Sequence, residues 1–289
     1  MRQALSPKAL AEAVGVSESS IRRWADGGQL AITRTSGGHR RIPLAEAVRF
    51  IRSSKVSIVR PDRLGLPQLK ENQNAGRHND WSDRFLALLL DGRAQAVSGL
   101  VFAMYLDGLD VAEICDGPLH NALTHIGDLW PQNQRSVFLE HRATMLCVRA
   151  LNQLRLSLPE PTTDCPSALG GAPQDDPYVL PSLMASLVLH EAGYAETNLG
   201  PNTPLDVLAD AVEDEQPTLV WLAVTSPLRS RQLAREITHL EQATSQYGGR
   251  LVMGGQSVST YEGATIQTCE NMQQLRDIAQ HLKRQRRAE

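Results

Sequence analysis

Residues 6–24 read SPKALAEAVGVSESSIRRW and residues 35–42 read TSGGHRRI, and these two stretches decide the N-terminal fold. Ser6 is placed to cap a helix, and Pro7 at its first position has no N–H to lose. Leu10, Ala11 and Val14 give that helix an apolar stripe, and Gly15 ends it. Ser17 caps a second helix over 18–26, with Ile21 and Trp24 facing inward as core. Ser19, Ser20, Arg22 and Arg23 remain on its outer side. Two short helices on a tight turn form a helix-turn-helix, with the second as recognition helix.

After Gly27-Gly28 a hairpin is expected: 31–34, a turn at Ser36-Gly37-Gly38, then 39–42. Its glycines allow the positive φ angles of a tight turn. Arg34, His39, Arg40 and Arg41 beside the turn are candidates for phosphate or minor-groove contacts. His39 has two readings, packing against the wing or contacting the DNA backbone. A helix over 44–52 closes the unit.

Charge follows the same division. Residues 1–55 hold ten Lys/Arg against four Asp/Glu, a net of +6, whereas the remainder nets −9. A basic head on an acidic body is the footprint of a small nucleic-acid-binding module joined to something else. The head resembles the MerR family of winged-helix regulators, through Leu10-Ala11, Gly15-Val16-Ser17, Ser19, Ile21-Arg22-Arg23-Trp24 and the wing Thr35 to Ile42. That resemblance implies a double-stranded DNA operator as partner. The DNA-contacting set is then Ser19, Ser20, Arg22, Arg23, Arg34, His39, Arg40 and Arg41.

The chain of 289 residues has room for more than this head. Residues 56–79 are polar and turn-rich and read as a linker. Residues 80–157 carry helical periodicity: Trp81, Phe85, Leu88, Leu89; then Val101, Met104, Tyr105; then Ile114, Leu119, Leu123, Ile126; then Val137, Phe138, His141, Met145, Val148, Leu151. Four amphipathic helices with short connections predict a four-helix bundle. Residues 165–289 alternate strands (167–170, 195–199, 218–224, 250–253) with helices (179–192, 204–212, 231–247, 272–284). Such alternation predicts a Rossmann-like, flavodoxin-like α/β domain with a parallel sheet.

The four cysteines (Cys115, Cys147, Cys165, Cys269) are scattered without paired C-x-x-C spacing, which argues against a thiolate zinc site or a disulfide framework. The expected location is the cytoplasm, with no membrane span and no secretory leader. No nucleophile triad, metal cluster or phosphate-binding glycine loop points to catalysis.

A bundle followed by a parallel α/β domain also resembles corrinoid-binding modules, nearest to the light-responsive, adenosylcobalamin-binding MerR regulators of the CarH/LitR type. The shared bundle residues are Trp130, Val137 and the pair Glu140-His141. The resemblance implies that Trp130 covers the adenosyl group, with Glu140 and His141 near the same upper face. Taken alone, Trp130 reads as core, Glu140 as an acid near a helix start, and His141 as a structural histidine. In the α/β block, Ser226 and Gly254-Gly255 follow strands at their carboxyl ends, where open sheets bind ligands.

The first loop of that sheet departs from the family pattern. The family carries an acid, any residue, His, two residues and Gly, whereas this chain reads Asp176-Pro177-Tyr178-Val179-Leu180-Pro181. Tyr178 stands where the cobalt-ligating His is expected, and Pro181 where the Gly leaves room for the nucleotide tail. A phenol is a poorer cobalt ligand than imidazole. Three states of the pocket stay open: adenosylcobalamin without a protein lower ligand, another tetrapyrrole-like ligand, or none.

The combined reading is a DNA-binding transcription regulator, a repressor, with a corrinoid-type sensory and oligomerising half. Each head spans only a half-site, so a homo-oligomer, dimer or tetramer, is expected. The resemblance further implies assembly in the dark and release by light. The alternative is a cofactor-independent regulator with a repurposed pocket; a corrinoid methyltransferase component is a third reading.

Overall fold

The computed structural model describes residues 4–72, 81–128, 134–227, 231–260 and 266–288. They fall into two compact units. One comprises residues 1–110 and 117–159, the other residues 111–116 and 160–289.

The first unit opens with β1 (Ala4–Leu5), α1 (Pro7–Val14) and α2 (Glu18–Asp26). The Ser6 hydroxyl accepts from the Ala9 N–H at 3.1 Å, and the Ser17 hydroxyl from the Ser20 N–H at 3.2 Å. Both caps satisfy N–H groups that a helix start leaves unpaired. β2 (Thr33–Arg34) and β3 (Arg40–Pro43) pair antiparallel, and β1 joins the other edge of β3. α3 (Leu44–Ser54) follows. Leu10, Ile21, Leu30, Ile42, Val48 and Ile51 are buried together in this head. Trp24 stacks at a tilt on Phe50, 5.0 Å between ring centres, but is half-buried rather than in the core.

The segment read as a linker is not a free tether where it is described. The Val59 and Arg60 N–H groups donate to the Ala13 carbonyl at 2.7 and 3.0 Å. Two 3₁₀ turns follow (Pro61–Leu64 and Pro67–Asn72), with Leu64, Leu66 and Leu69 buried. Arg63 pairs with Glu12 of α1 at 2.8 Å. Three leucines spaced through polar residues carried the packing that turn-rich composition concealed.

The bundle consists of α4 (Trp81–Asp91), α5 (Ala94–Asp107), α6 (Val111–Ile114) running through a π-turn (Cys115–Leu119) into α7 (His120–Asp128), and α8 (Gln134–Arg155). α5 is buried on nearly all sides and forms the centre. Arg52 of α3 lies 3.7 Å over the Tyr105 ring and donates to the Leu109 and Gly108 carbonyls at 3.1 and 3.2 Å. The head is thereby held to the end of α5.

The sequence reading of α8 needs correction. Val137, Phe138, His141 and Met145 were expected to face the core, but all four are exposed. The packed face is Ala143, Cys147, Ala150, Leu151 and Leu154. Small residues let α8 approach its neighbours, and a stripe of larger apolar residues is left outside.

The second unit holds a five-stranded parallel sheet, β4 (Ser167–Gly171), β5 (Ala195–Asn198), β6 (Leu219–Ala223), β7 (Arg250–Gly254) and β8 (Gln267–Cys269). The spatial order is β5-β4-β6-β7-β8, the flavodoxin-like arrangement. α10 (Leu205–Glu215) and α11 (Arg231–Gln246) cover one face, and α9 (Val179–Glu191) and α12 (Met272–Ala288) the other. β8 was not foreseen, because three mixed-polarity residues on a sheet edge carry no period. The Asp116 carboxylate accepts from the Met272 and Gln273 N–H groups, both at 2.9 Å, capping α12. Lys283 of α12 donates to the Ala192 and Gly193 carbonyls at 2.7 and 3.2 Å, tying α12 to the end of α9. No helix among the described residues is long and apolar enough to cross a membrane.

Candidate functional site

On the head, the candidate DNA-contacting residues lie on α2 and on the wing formed by β2 and β3. Ser19, Arg22, Arg23, Arg34, His39 and Arg41 are exposed, and Ser20 is half-buried. The Ser19 and Ser20 hydroxyls lie 2.7 and 3.0 Å from the capping Ser17 hydroxyl, so the helix start carries a small hydroxyl cluster. Arg22 pairs with Glu18 one turn earlier at 2.7 Å, yet its side chain remains 62% exposed. An exposed i,i+4 pair of this kind is weak and yields readily to a phosphate. The wing turn is closed by Gly38 and Thr35, with Gly38 at φ +76°, a conformation suited to glycine. The His39 N–H donates to the Thr35 hydroxyl at 3.2 Å, which fixes the backbone of the basic segment. Arg40 differs from its neighbours, because it pairs with Asp26 at 2.9 Å and is only 28% exposed.

In the bundle, Trp130 lies outside the described residues. Val137, Phe138 and Met145 are 36%, 59% and 62% exposed, with His141 exposed and Glu140 half-buried on the same helix. Glu140 is nearly two turns inside α8, not at its start, so the helix dipole does not account for it. Arg142 donates to the Leu89 and Leu90 carbonyls at the end of α4 and lies 5.1 Å from the Phe138 ring centre.

In the α/β unit, the carboxyl ends of β4 and β6 meet at the point where strand order reverses, the usual ligand crevice. Asp176 stands there, 1% exposed. One oxygen accepts from the Thr225 and Ser226 N–H groups at 2.6 and 2.9 Å, the other from the Tyr178 N–H at 3.3 Å. N–H groups that elsewhere cradle a ligand are thus consumed by the protein's own carboxylate. Tyr178, just before α9, is 48% exposed. Ser226 contributes its backbone to Asp176.

Gly254 and Gly255 lie at the carboxyl end of β7 and just beyond it, hard against neighbouring backbone and side chains. A side-chain carbon on Gly254 would lie 2.8 Å from the Cys269 sulfur, and one on Gly255 2.3 Å from the Val224 carbonyl oxygen. Their missing side chains are used to pack β7 against the protein itself. Sequence reasoning also missed the network behind the first turn of α9. Buried Trp221 donates to the Ser182 hydroxyl at 3.1 Å, which donates to Asn198 at 2.8 Å. A lone tryptophan in an apolar strand gave no sign of this.

Two family models match the chain. Residues 6–42 match the model described as MerR family regulatory protein, and residues 81–155 match B12 binding domain. The chain thus joins a MerR-type winged helix-turn-helix to a bundle of the B12-binding type, followed by a Rossmann-like sheet. No curated protein sequence matches. Among solved structures, the Methanosarcina barkeri monomethylamine corrinoid protein is similar at a TM-score of 0.57 and 13% identity, over 71% of this chain and 100% of that one. The methanol:cobalamin methyltransferase complex MtaBC of Methanosarcina barkeri gives a TM-score of 0.35 at 14% identity, over 80% and 88%. A novel cobalamin-binding protein from Desulfitobacterium hafniense DCB-2 gives 0.36 at 15%, over 69% and 97%. The first of these is a likeness of fold.

Proposed function

We propose that this protein is a DNA-binding transcription regulator, a repressor, whose remaining chain is a corrinoid-type sensory and oligomerising module rather than an enzyme. The observation that carries the reading is the exposed set Arg22, Arg23, Arg34 and Arg41 on the recognition helix and wing. A half-site is too short for useful specificity, so the acting form is a dimer or tetramer.

The residues fit a corrinoid in one half only. The outer stripe of α8, with Val137, Phe138, His141 and Met145, offers an apolar face of the kind a tetrapyrrole ring covers. The loop at Asp176 does not fit the usual lower attachment. Tyr178 offers no imidazole, Pro181 adds bulk, and the Asp176 carboxylate is already committed to three N–H groups. The reading is therefore adenosylcobalamin or a related tetrapyrrole held without a protein lower ligand. That lower loop equally favours the second reading, a cofactor-independent regulator controlled by another ligand or a partner protein.

Absorption spectra separate the two. The protein is incubated with adenosylcobalamin in the dark, desalted and scanned, then tested for size and DNA binding before and after illumination. Retained corrinoid bands support the first reading, and a change in size or DNA affinity on illumination supports light control. A colourless protein that still binds DNA leaves the cofactor-independent regulator.

A further inference from the structure

The Arg40–Asp26 pair looks out of place on a DNA-binding surface. Asp26 is the last residue of α2, where a carboxylate meets the unfavourable end of the helix dipole. It also adds negative charge to the module whose exposed arginines face DNA. An isolated acid at this position would weaken both the helix and the complex. Arg40 stands directly across the wing from Arg34 in the strand register, a like-charge pair that costs stability. Both oddities are resolved at once by the 2.9 Å contact, which turns Arg40 away from Arg34 and onto Asp26. The Arg40 Nη1 is buried without a hydrogen-bond partner among the described residues, so the guanidinium is directed into the head rather than outward.

Resting on the proposed DNA-binding function, we propose that Arg40 is a positioning residue: Asp26 clamps it, and the clamp sets the wing against the recognition helix. Phosphate contacts from the wing then come from Arg34 and Arg41. Asp26 is itself 61% exposed, so the pair adds little to overall stability, and its effect is on the placement of the wing, whose strands are only a few residues long.

The test reads a sign. If Asp26 merely repels DNA, Asp26→Asn tightens binding. If it clamps the wing, Asp26→Asn weakens binding about two- to fivefold despite removing a negative charge. The probe is a duplex that the full-length wild-type protein enriches from a random pool. Arg40→Ala should weaken binding with little change in the slope of log affinity against log salt, whereas Arg41→Ala should flatten that slope by about 0.9. Hydrogen exchange of residues 33–41 without DNA gives an independent reading, faster in Asp26→Asn and restored by the double charge reversal Asp26→Arg, Arg40→Asp. Unchanged wing exchange, or tighter DNA binding by Asp26→Asn, overturns the clamp. A clamp seen by exchange in a protein that enriches no duplex overturns the DNA-binding reading instead, and with it the role of Arg40 there.

Discussion

Asp176 accepts three backbone N–H groups while almost fully buried. Asp176→Ala leaves the Thr225 and Ser226 donors without their acceptor and should cost about 2–4 kcal/mol, read as a lower denaturation midpoint. The cysteines allow a second check. Burial pushes the Cys147 thiol up to about 12, and burial with the Asp116 carboxylate pushes Cys269 up to about 11. Thiolate is the reacting form, so alkylation at about pH 8 should mark half-exposed Cys165 and spare Cys147 and Cys269 until the protein unfolds. At this scale much was legible. Ser6, Gly15 and Ser17 act as the caps and helix stop that their side chains dictate. The partners of Asp176 and Arg40 were not legible, because each lies far along the chain or depends on how a turn folds back.

Helix α8 shows where periodicity misleads at the scale of elements. Large apolar residues at three- and four-residue steps normally mark the packed face, but here Ala143, Cys147 and Ala150 do the packing and Phe138 and Met145 stand outside. Ala143→Leu should therefore overpack the bundle and cost about 1–3 kcal/mol. Phe138→Ala should change stability by less than about 1 kcal/mol while reducing any corrinoid retention. An equal loss of stability in the two variants would reverse the assignment of faces. Helix α12 is docked by the Tyr194 hydroxyl, which donates to the Ala279 carbonyl at 2.8 Å. Burial pushes this phenol up to about 12, against the opposing pull of Arg286. In the unfolded chain it ionises near about 10. Its contribution is therefore fully present below about pH 10 and is lost as pH rises toward 12, a loss that Tyr194→Phe should blunt in alkaline denaturation. The parallel sheet was readable from apolar strands such as β6, fully buried on both faces, whereas the edge strand β8 was not.

For the whole molecule, charge and architecture point the same way. A basic winged head is packed, through Arg52 and the 3₁₀ turns, into one unit with the bundle. DNA binding therefore belongs to a body that includes α8, not to a head on a loose tether. The division into head, bundle and sheet could be read from periodicity and turns. The packing of head on bundle could not, because it rests on single residues such as Arg52 and Leu69. Selection of duplexes from a random pool by the full-length protein asks whether this chain reads DNA sequence at all. A DNA-reading head should enrich a defined sequence, bound at about 10⁻⁸ M or tighter near physiological salt and weakening steeply as salt rises. A pool that stays random, with weak binding that no salt change alters, would contradict it.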